Sequence, residues 1–129
     1  MIEFHRPEAF KEAGLPFSEA VRVGDVLYLS GAVGNVPGTM QLVHGGLEAE
    51  TRQAMLNIEA ILARHGLTFD DVFKCTVMMA DMGEWAAFNK IYVQYLKPDR
   101  LPARSAFGAS GLALGARIEL ECWAHFGTS

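Results

Sequence analysis

Apolar and polar residues follow two different spacings along the first half of the chain. The stretch "PFSEAVRVGDVLYLSGAVG", which begins at Pro16, is rich in β-branched and aromatic residues on both sides of Gly24-Asp25. Two strands joined by a turn at this glycine are therefore predicted. The next residues, "GNVPGTM", contain the glycine and proline punctuation of a loop, and a short third strand is predicted around Met40–Leu42.

From Gly46 to His65 the apolar residues recur at steps of three and four, which is the period of a helix. The apolar face of this predicted helix comprises Leu47, Thr51, Ala54, Ile58 and Ile61. Gly66 then supplies the residue type that commonly ends a helix. The segment is therefore predicted to be an amphipathic helix.

The second half of the chain predicts one strand, one helix and two closing strands. "DDVFKCTVMMAD" has few polar interruptions and predicts a strand that is buried on both faces. Asp81 and Glu84 have the spacing of a capping box, so a second helix is predicted from there to about Leu96. Its apolar stripe comprises Trp85, Phe88, Ile91 and Tyr95. With closing strands at residues 104–109 and 116–126, the order β-β-(β)-α-β-α-β-β predicts a sheet that is parallel at least in part.

The size and the N-terminus of the chain limit the class of protein. The length of 129 residues, half of them hydrophobic, predicts a single domain over residues 1–129. No run approaches the ~20 apolar residues that span a bilayer, so no membrane association is expected. The N-terminal "MIEFHRPEAF" carries charges and lacks the apolar segment of a secretory signal, which predicts a cytoplasmic protein.

Charge and ligand spacing argue against nucleic-acid binding and against a metal site. The formal net charge is −4, and the lysines are scattered along the chain. Nucleic-acid-binding proteins usually carry a basic stripe, so nucleic acid is not an expected partner. The two cysteines and four histidines are not spaced as metal ligands, and no metal is predicted. Cys75 and Cys122 fall in strand-like runs, where buried free thiols are common.

Two charged residues fall in the most apolar part of the sequence, "PARSAFGASGLALGARIELE". On a strand, Arg104 shares a face with the small residues Ala106 and Gly108, which leaves room for a ligand. The planar guanidinium group binds a carboxylate with two parallel hydrogen bonds. Glu119 lies on a partly buried strand, where desolvation raises a carboxyl pKa and suits the group to proton transfer. Spacing alone favours a structural ion pair between Arg104 and Glu119, since charge pairs on neighbouring strands are common.

Six segments, in order and at their spacing, resemble the RidA/YjgF family of small enamine/imine deaminases, also called the endoribonuclease L-PSP family. They are "PFSEAV", "LYLSGAVG", "EAETRQAMLNIEAIL", "DDVFKCTVMMADM", "FNKIYVQYL" and "PARSAF...ARIELECWA". The resemblance implies an α+β fold: a chorismate-mutase-like (Bacillus-type) mixed sheet with two helices packed on one face. It implies a homotrimer with ligand clefts between the subunits. It also implies that the "VFKCTVMM" strand lies between the strands of Arg104 and Glu119.

The same resemblance suggests roles for individual residues. Arg104 matches the arginine that binds the substrate carboxylate, and Glu119 matches the glutamate that positions the attacking water. Phe17 stands where many members have tyrosine, and Ala106 where some have cysteine. The positions expected to contact substrate are Arg104, Gly31, Phe17, Asn89, Ala106 and Ser30. Asn89 could equally be an ordinary exposed polar residue of a helix flank.

The activity that the resemblance implies is hydrolysis of reactive enamines or imines, such as 2-aminoacrylate, to keto acids and ammonia without a cofactor. A non-catalytic sensor of small carboxylates or keto acids is the alternative. Such a sensor would need Arg104 but not Glu119, so the presence of both residues favours the enzyme. A ribonuclease or translation inhibitor ranks last, because the chain is acidic and lacks a basic stripe. Pairing of Arg104 with Glu119 across a subunit interface also remains open.

Overall fold

The structure, a computed structural model, describes residues 1–127, which contain six strands and three α-helices. In chain order these elements are β1 (Ile2–His5), α1 (Glu8–Glu12), β2 (Ala20–Val23), β3 (Val26–Leu29), α2 (Gly46–Arg64), β4 (Val72–Met79), α3 (Trp85–Tyr92), β5 (Ala103–Gly108) and β6 (Ile118–His125). Short 3-10 turns lie at Phe69–Asp71, Met82–Glu84, Val93–Tyr95 and Ala113–Gly115.

The strands of the described chain form one mixed sheet in the order β1-β2-β3-β6-β4-β5. Neighbouring strands are antiparallel except β4 and β5, which run parallel. The parallel pair arises because α3 carries the chain from the end of β4 back to the start of β5. The predicted partly parallel sheet is confirmed. So is the position of β4 between the strands that carry Arg104 and Glu119.

Helices α2 and α3 pack together on one face of the sheet and enclose the core. The fully buried residues of this core include Leu27, Met55, Ile58, Leu62, Val77, Met79, Phe88, Ile118 and Leu120. Thr51 is a polar residue on the buried face of α2, and its Oγ1 donates a hydrogen bond to the Leu47 carbonyl at 2.7 Å. The hydroxyl is thereby satisfied inside the core, so the apolar face predicted for this helix is confirmed.

Strand β4 buries only every second residue. Cys75, Val77 and Met79 are buried, whereas Phe73 is 42% exposed and Met78 is half-buried. The prediction that this strand is buried on both faces is therefore wrong for the single chain. The helices cover only the face that carries the inward residues, and the other face remains open.

The N-terminal elements and the third strand differ from the sequence prediction. Strand β1 and helix α1 were not predicted, because they are only four and five residues long and too short to show a clear period. The predicted strand around Met40–Leu42 is reduced to an isolated bridge between Asn35 and Leu42.

The second predicted helix is shorter than the sequence indicates. The α-helical part covers Trp85–Tyr92 and is flanked by 3-10 turns. Asp81 accepts a hydrogen bond from Gly83 N at 2.8 Å, as a helix-capping residue does. The Glu84 side chain does not complete the predicted capping box but forms an ion pair with Arg117 at 2.6 Å. The start of α3 is thus tied to the residue that precedes β6.

Glu50 is a buried charged residue that the sequence pattern does not single out. Only 5% of Glu50 is exposed, and its Oε1 accepts a hydrogen bond from Arg117 N at 2.8 Å. We expect Glu50→Ala to lower the free energy of unfolding by about 1–3 kcal/mol, because the Arg117 N–H then loses its partner. Glu50→Gln keeps an acceptor oxygen and should cost less. Urea unfolding beside Glu48→Ala, an exposed position on the same helix, measures the difference, and equal stability of the two alanine variants would contradict this account.

Candidate functional site

Arg104 lies on the edge strand β5, on the face of the sheet that the helices cover. It is paired with the core residue Cys75, and residues directly opposite each other in a sheet point to the same side. Its guanidinium carbon lies 4.9 Å from the ring centre of Tyr92, 5.8 Å from that of Phe88 and 5.9 Å from that of Trp85. Helix α3 therefore places three aromatic rings within cation–π distance of one guanidinium group.

The guanidinium group of Arg104 has no hydrogen-bond or ion-pair partner among residues 1–127. The other arginines of this range each donate to an oxygen atom; they are Arg6, Arg22, Arg52, Arg64, Arg100 and Arg117. Arg104 is nevertheless half-buried. Its planar set of N–H donors is therefore available to a ligand, and carboxylate or phosphate oxygens fit that geometry.

Ala106 and Asn89 accompany Arg104 on the same side of the sheet. Ala106 follows two positions along β5, and its small side chain leaves space beside the guanidinium group. Asn89 lies four residues after Trp85 and three before Tyr92, so it shares their face of α3. Its Oδ1 is buried without a hydrogen-bond partner. Asn89 is thus partly buried with an unused acceptor, which argues against an ordinary exposed position.

Glu119 lies on the opposite face of the sheet, beside Gly31. Its neighbours Ile118 and Leu120 are buried in the core, so Glu119 points the other way. A Cβ atom on Gly31 would overlap Oε2 of Glu119, so the glycine is required for the carboxylate to lie there. Within the described residues Glu119 forms no hydrogen bond or ion pair. Burial, with a smaller contribution from Glu121, raises the pKa of Glu119 above its usual value.

Ser30 and Phe17 belong to the same region as Gly31. Ser30 Oγ donates a hydrogen bond to the Ser18 carbonyl at 2.6 Å, which holds the segment that carries Phe17 beside the end of β3. Phe17 is 46% exposed and packs edge-on against Phe10 with ring centres 5.5 Å apart. An apolar ring is therefore presented at this position.

Within one chain, Arg104 and Glu119 lie on opposite faces of the sheet. Their partners on β4, Cys75 and Met78, are three positions apart, and such residues on a strand point to opposite sides. The ion pair that the spacing favoured is therefore wrong for the single chain. The predicted site residues form two groups: an arginine group of Arg104, Ala106 and Asn89, and a glutamate group of Glu119, Gly31, Ser30 and Phe17.

The aromatic residues around Arg104 were not predicted as part of the site. The sequence pattern assigned Trp85 and Phe88 to the core stripe of the helix and placed Tyr95, rather than Tyr92, on that stripe. In the structure Tyr92 is 5% exposed and lies closest to the guanidinium group. The helical spacing of these aromatic residues is visible in the sequence, but it does not specify which strand they face.

A shallow concavity at the start of β4, lined in part by Asp70, Phe73 and Arg100, contains none of the predicted site residues. Through residue 127, no cluster of three or more histidine, cysteine, aspartate or glutamate side chains could hold a metal ion. Over the same range, no helix combines the length and apolar character required to cross a membrane.

Comparison with known proteins gives consistent matches over most of the chain. Residues 7–126 match the family described as "Endoribonuclease L-PSP". The chain is 42% identical over 106 residues to the 2-iminobutanoate/2-iminopropanoate deaminase of Mus musculus, covering 82% of this chain and 78% of the mouse protein. A Rid-family protein of unknown function from Yersinia pestis superposes with a TM-score of 0.87 at 33% identity, covering 97% and 99% of the two chains. RidA from the Antarctic bacterium Psychrobacter superposes with a TM-score of 0.81 at 34% identity, covering 86% and 89%.

Proposed function

Because the chain belongs to the endoribonuclease L-PSP family, which is the RidA/YjgF family, we propose that it hydrolyses imines and enamines of small 2-amino acids to 2-keto acids and ammonia. The family resemblance of the six sequence segments is confirmed, and curated relatives are named as deaminases of this kind. The observation that carries the proposal is that Arg104 and Glu119 are both half-buried and that neither has a hydrogen-bond or ion-pair partner among residues 1–127. Unpaired charges in such positions are costly unless a ligand uses them.

Each of the two charged groups has a distinct role in the proposed reaction. Arg104 binds the carboxylate of the substrate through two parallel N–H···O hydrogen bonds and so fixes the position of the neighbouring C=N or C=C–N carbon. Glu119, with its raised pKa, gives a proton to the terminal carbon of an enamine such as 2-aminoacrylate, which becomes an iminium ion. The resulting carboxylate accepts a proton from water as the water oxygen attacks the iminium carbon. Loss of ammonia from the carbinolamine then leaves the keto acid.

A complete site in this proposal requires a second copy of the chain, because the arginine group and the glutamate group lie on opposite faces. The face that carries Glu119 also has a surface that another copy can cover. Tyr28 and Phe73, which are 37% and 42% exposed, contact Trp123 there with ring centres 5.1 and 6.3 Å apart. We therefore place the clefts between the subunits of a homotrimer, where the arginine group of one subunit meets the glutamate group of the next.

Phe17 and Ala106 leave Glu119 as the residue for proton transfer in the proposed cleft. Phenylalanine at position 17 offers no hydroxyl, and alanine at position 106 offers no thiol. Both residues make the wall of the cleft apolar, which suits the short hydrocarbon part of the substrate. Asn89 and Ser30 supply the remaining polar contacts, the former through its unpaired Oδ1.

A coupled assay tests the proposed reaction directly. An amino-acid oxidase generates imines with different side chains, and their decay is followed with and without this protein. Decay that accelerates in proportion to the protein concentration supports the deaminase. Tight binding of a keto acid without acceleration would instead support a sensor that uses Arg104 alone, and would contradict the proposal. A ribonuclease is disfavoured by the net charge of −4, since binding of nucleic acid depends on neutralising phosphates.

Gly31→Ala is expected to lower turnover without unfolding the protein. The added methyl group overlaps the end of the flexible Glu119 side chain, so the carboxylate moves while the backbone remains in place. A displacement of this size should reduce kcat by about tenfold to a hundredfold, with the free energy of unfolding changed by less than about 1 kcal/mol. Gly111→Ala is the matched control, because no atom lies within 4 Å of its Cβ position. Unchanged kcat for Gly31→Ala would contradict the role of Glu119.

A further inference from the structure

The guanidinium group of Arg104 lies against three aromatic rings of α3. Among residues 1–127 neither a carboxylate nor a carbonyl oxygen holds it, and the Tyr92 ring is the closest of the surrounding rings at 4.9 Å. We propose that Tyr92 is a positioning residue for Arg104, which holds the guanidinium plane so that its N–H groups face the cleft. This inference rests on the proposed function, since it concerns how the same arginine binds the substrate carboxylate.

Tyr92 is itself held rigidly. It is 5% exposed, and its ring stacks on the fully buried Phe88 with ring centres 5.5 Å apart and an angle of 28° between the planes. The Tyr92 hydroxyl lies beside the Cys75 thiol but has no hydrogen bond of normal geometry. Cys75 is in turn fixed by Cys122, whose sulfur lies 3.3 Å from its own. The ring of Tyr92, rather than its hydroxyl, therefore acts on Arg104.

The aromatic rings beside Arg104 can restrict its side chain without using its hydrogen-bond donors. A free arginine side chain populates many rotamers, and binding a carboxylate in one orientation would require it to lose that freedom. A salt bridge within the chain would orient the group but would also occupy the N–H donors that the substrate needs. A ring whose face lies against the guanidinium group restricts the cation without accepting a hydrogen bond, so the N–H donors stay free for the carboxylate. Burial raises the pKa of Tyr92, so the ring stays neutral beside the cation.

Tyr92 is a stronger candidate for this role than the other two rings. Trp85 is 44% exposed and 5.9 Å from the guanidinium carbon, so solvent competes with its contact. Phe88 is fully buried but its ring centre is 5.8 Å from the guanidinium carbon. Its main contact is with the ring of Tyr92, which stacks on it. Distance and burial together therefore select Tyr92.

The test compares Tyr92→Phe, which keeps the ring, with Tyr92→Leu, which removes it. Calorimetric titration with 2-oxobutanoate measures binding, and the coupled imine assay measures KM and kcat. We expect Tyr92→Leu to weaken binding and raise KM by about fivefold to thirtyfold, with kcat within about twofold of wild type. Tyr92→Phe should restore both values to within about twofold of wild type. Phe69→Leu is the matched control, because Phe69 is also a buried ring of the core but contacts Tyr95 rather than Arg104.

The outcomes separate this inference from the proposed function. Loss of binding in Arg104→Lys together with wild-type binding in a folded Tyr92→Leu would overturn the role of Tyr92 alone. Wild-type binding in Arg104→Lys would overturn the proposed carboxylate site itself. Should Tyr92→Leu not fold, NMR of the unaltered protein decides the question. The Arg104 Nε–H signal should be shifted by the ring current relative to that of Arg100, and an unshifted signal would overturn the contact of Arg104 with the Tyr92 ring.

Discussion

Glu119→Gln is expected to reduce kcat for imine hydrolysis by about 10²–10⁴-fold, which is the usual size of a general acid–base contribution. Glutamine has nearly the same shape but neither gives nor accepts the proton that the reaction transfers. Titration with 2-oxobutanoate should show binding close to that of wild type, because in the proposed cleft the carboxylate of the ligand contacts Arg104. The loss should therefore appear in kcat and not in KM.

Glu121→Gln is the matched control for this variant, since Glu121 lies two positions along the same face of β6. It should retain kcat within a few-fold of wild type.

Stability provides a second check, because the pKa of Glu119 is raised in the folded chain above its usual value of 4.5. Because its pKa is raised, Glu119 makes a contribution to stability that is fully present below pH 4.5 and is lost as the pH rises through the folded pKa. Glu119→Gln removes that loss, so it should melt no lower than wild type at neutral pH. Full kcat with a melting temperature tens of degrees lower would make Glu119 a structural residue.

Arg104→Lys is expected to lower kcat/KM by about tenfold to a hundredfold, with most of the loss in KM. Lysine keeps the positive charge but replaces the planar pair of donors with a single ammonium group. Hydrogen bonds to charged groups contribute about 1.5–3 kcal/mol each, so the loss of one such bond accounts for a change of this size. Steady-state kinetics and titration with 2-oxobutanoate measure the effect in parallel.

Arg100→Lys is the matched control for Arg104→Lys. Arg100 also donates through its guanidinium group, but to the Asp70 carbonyl at 2.8 Å on an exposed loop. This variant should leave KM unchanged. If Arg104→Lys binds 2-oxobutanoate as tightly as wild type, Arg104 does not bind the substrate carboxylate.

Most of the fold can be predicted from the periodicity of apolar residues and from turn residues in the sequence. The period of α2 and the glycine that follows it defined that helix to within one residue, because a nineteen-residue amphipathic segment repeats its pattern many times. The hairpin of β2 and β3 followed from its turn, where Gly24 adopts a φ of 59°. By contrast, β1 is too short to show a period, and its residues alternate between charged and apolar as an exposed loop also would.

The site was predicted only in part, because its geometry depends on tertiary structure. Residue types and family resemblance indicated Arg104 and Glu119, but the face to which each points depends on the register of both with β4. The burial of Glu50 arises because a distant backbone N–H, that of Arg117, is placed against it. Likewise the contact of Tyr92 with Arg104 joins a helix and a strand, and no local pattern specifies that contact.

The most direct test of the shared cleft is to mix two variants of lowered kcat/KM and to assay them at a substrate concentration well below the wild-type KM, where the defect of each variant is expressed. Arg104→Lys and Glu119→Gln chains are unfolded together, refolded in equal amounts, and assayed for imine hydrolysis beside each variant refolded alone. If each cleft takes its arginine group from one subunit and its glutamate group from the next, about a quarter of the clefts contain both original residues. The mixture should then recover about a quarter of the wild-type activity. Activity no higher than the average of the two variants would show that the two residues do not act together across a subunit interface.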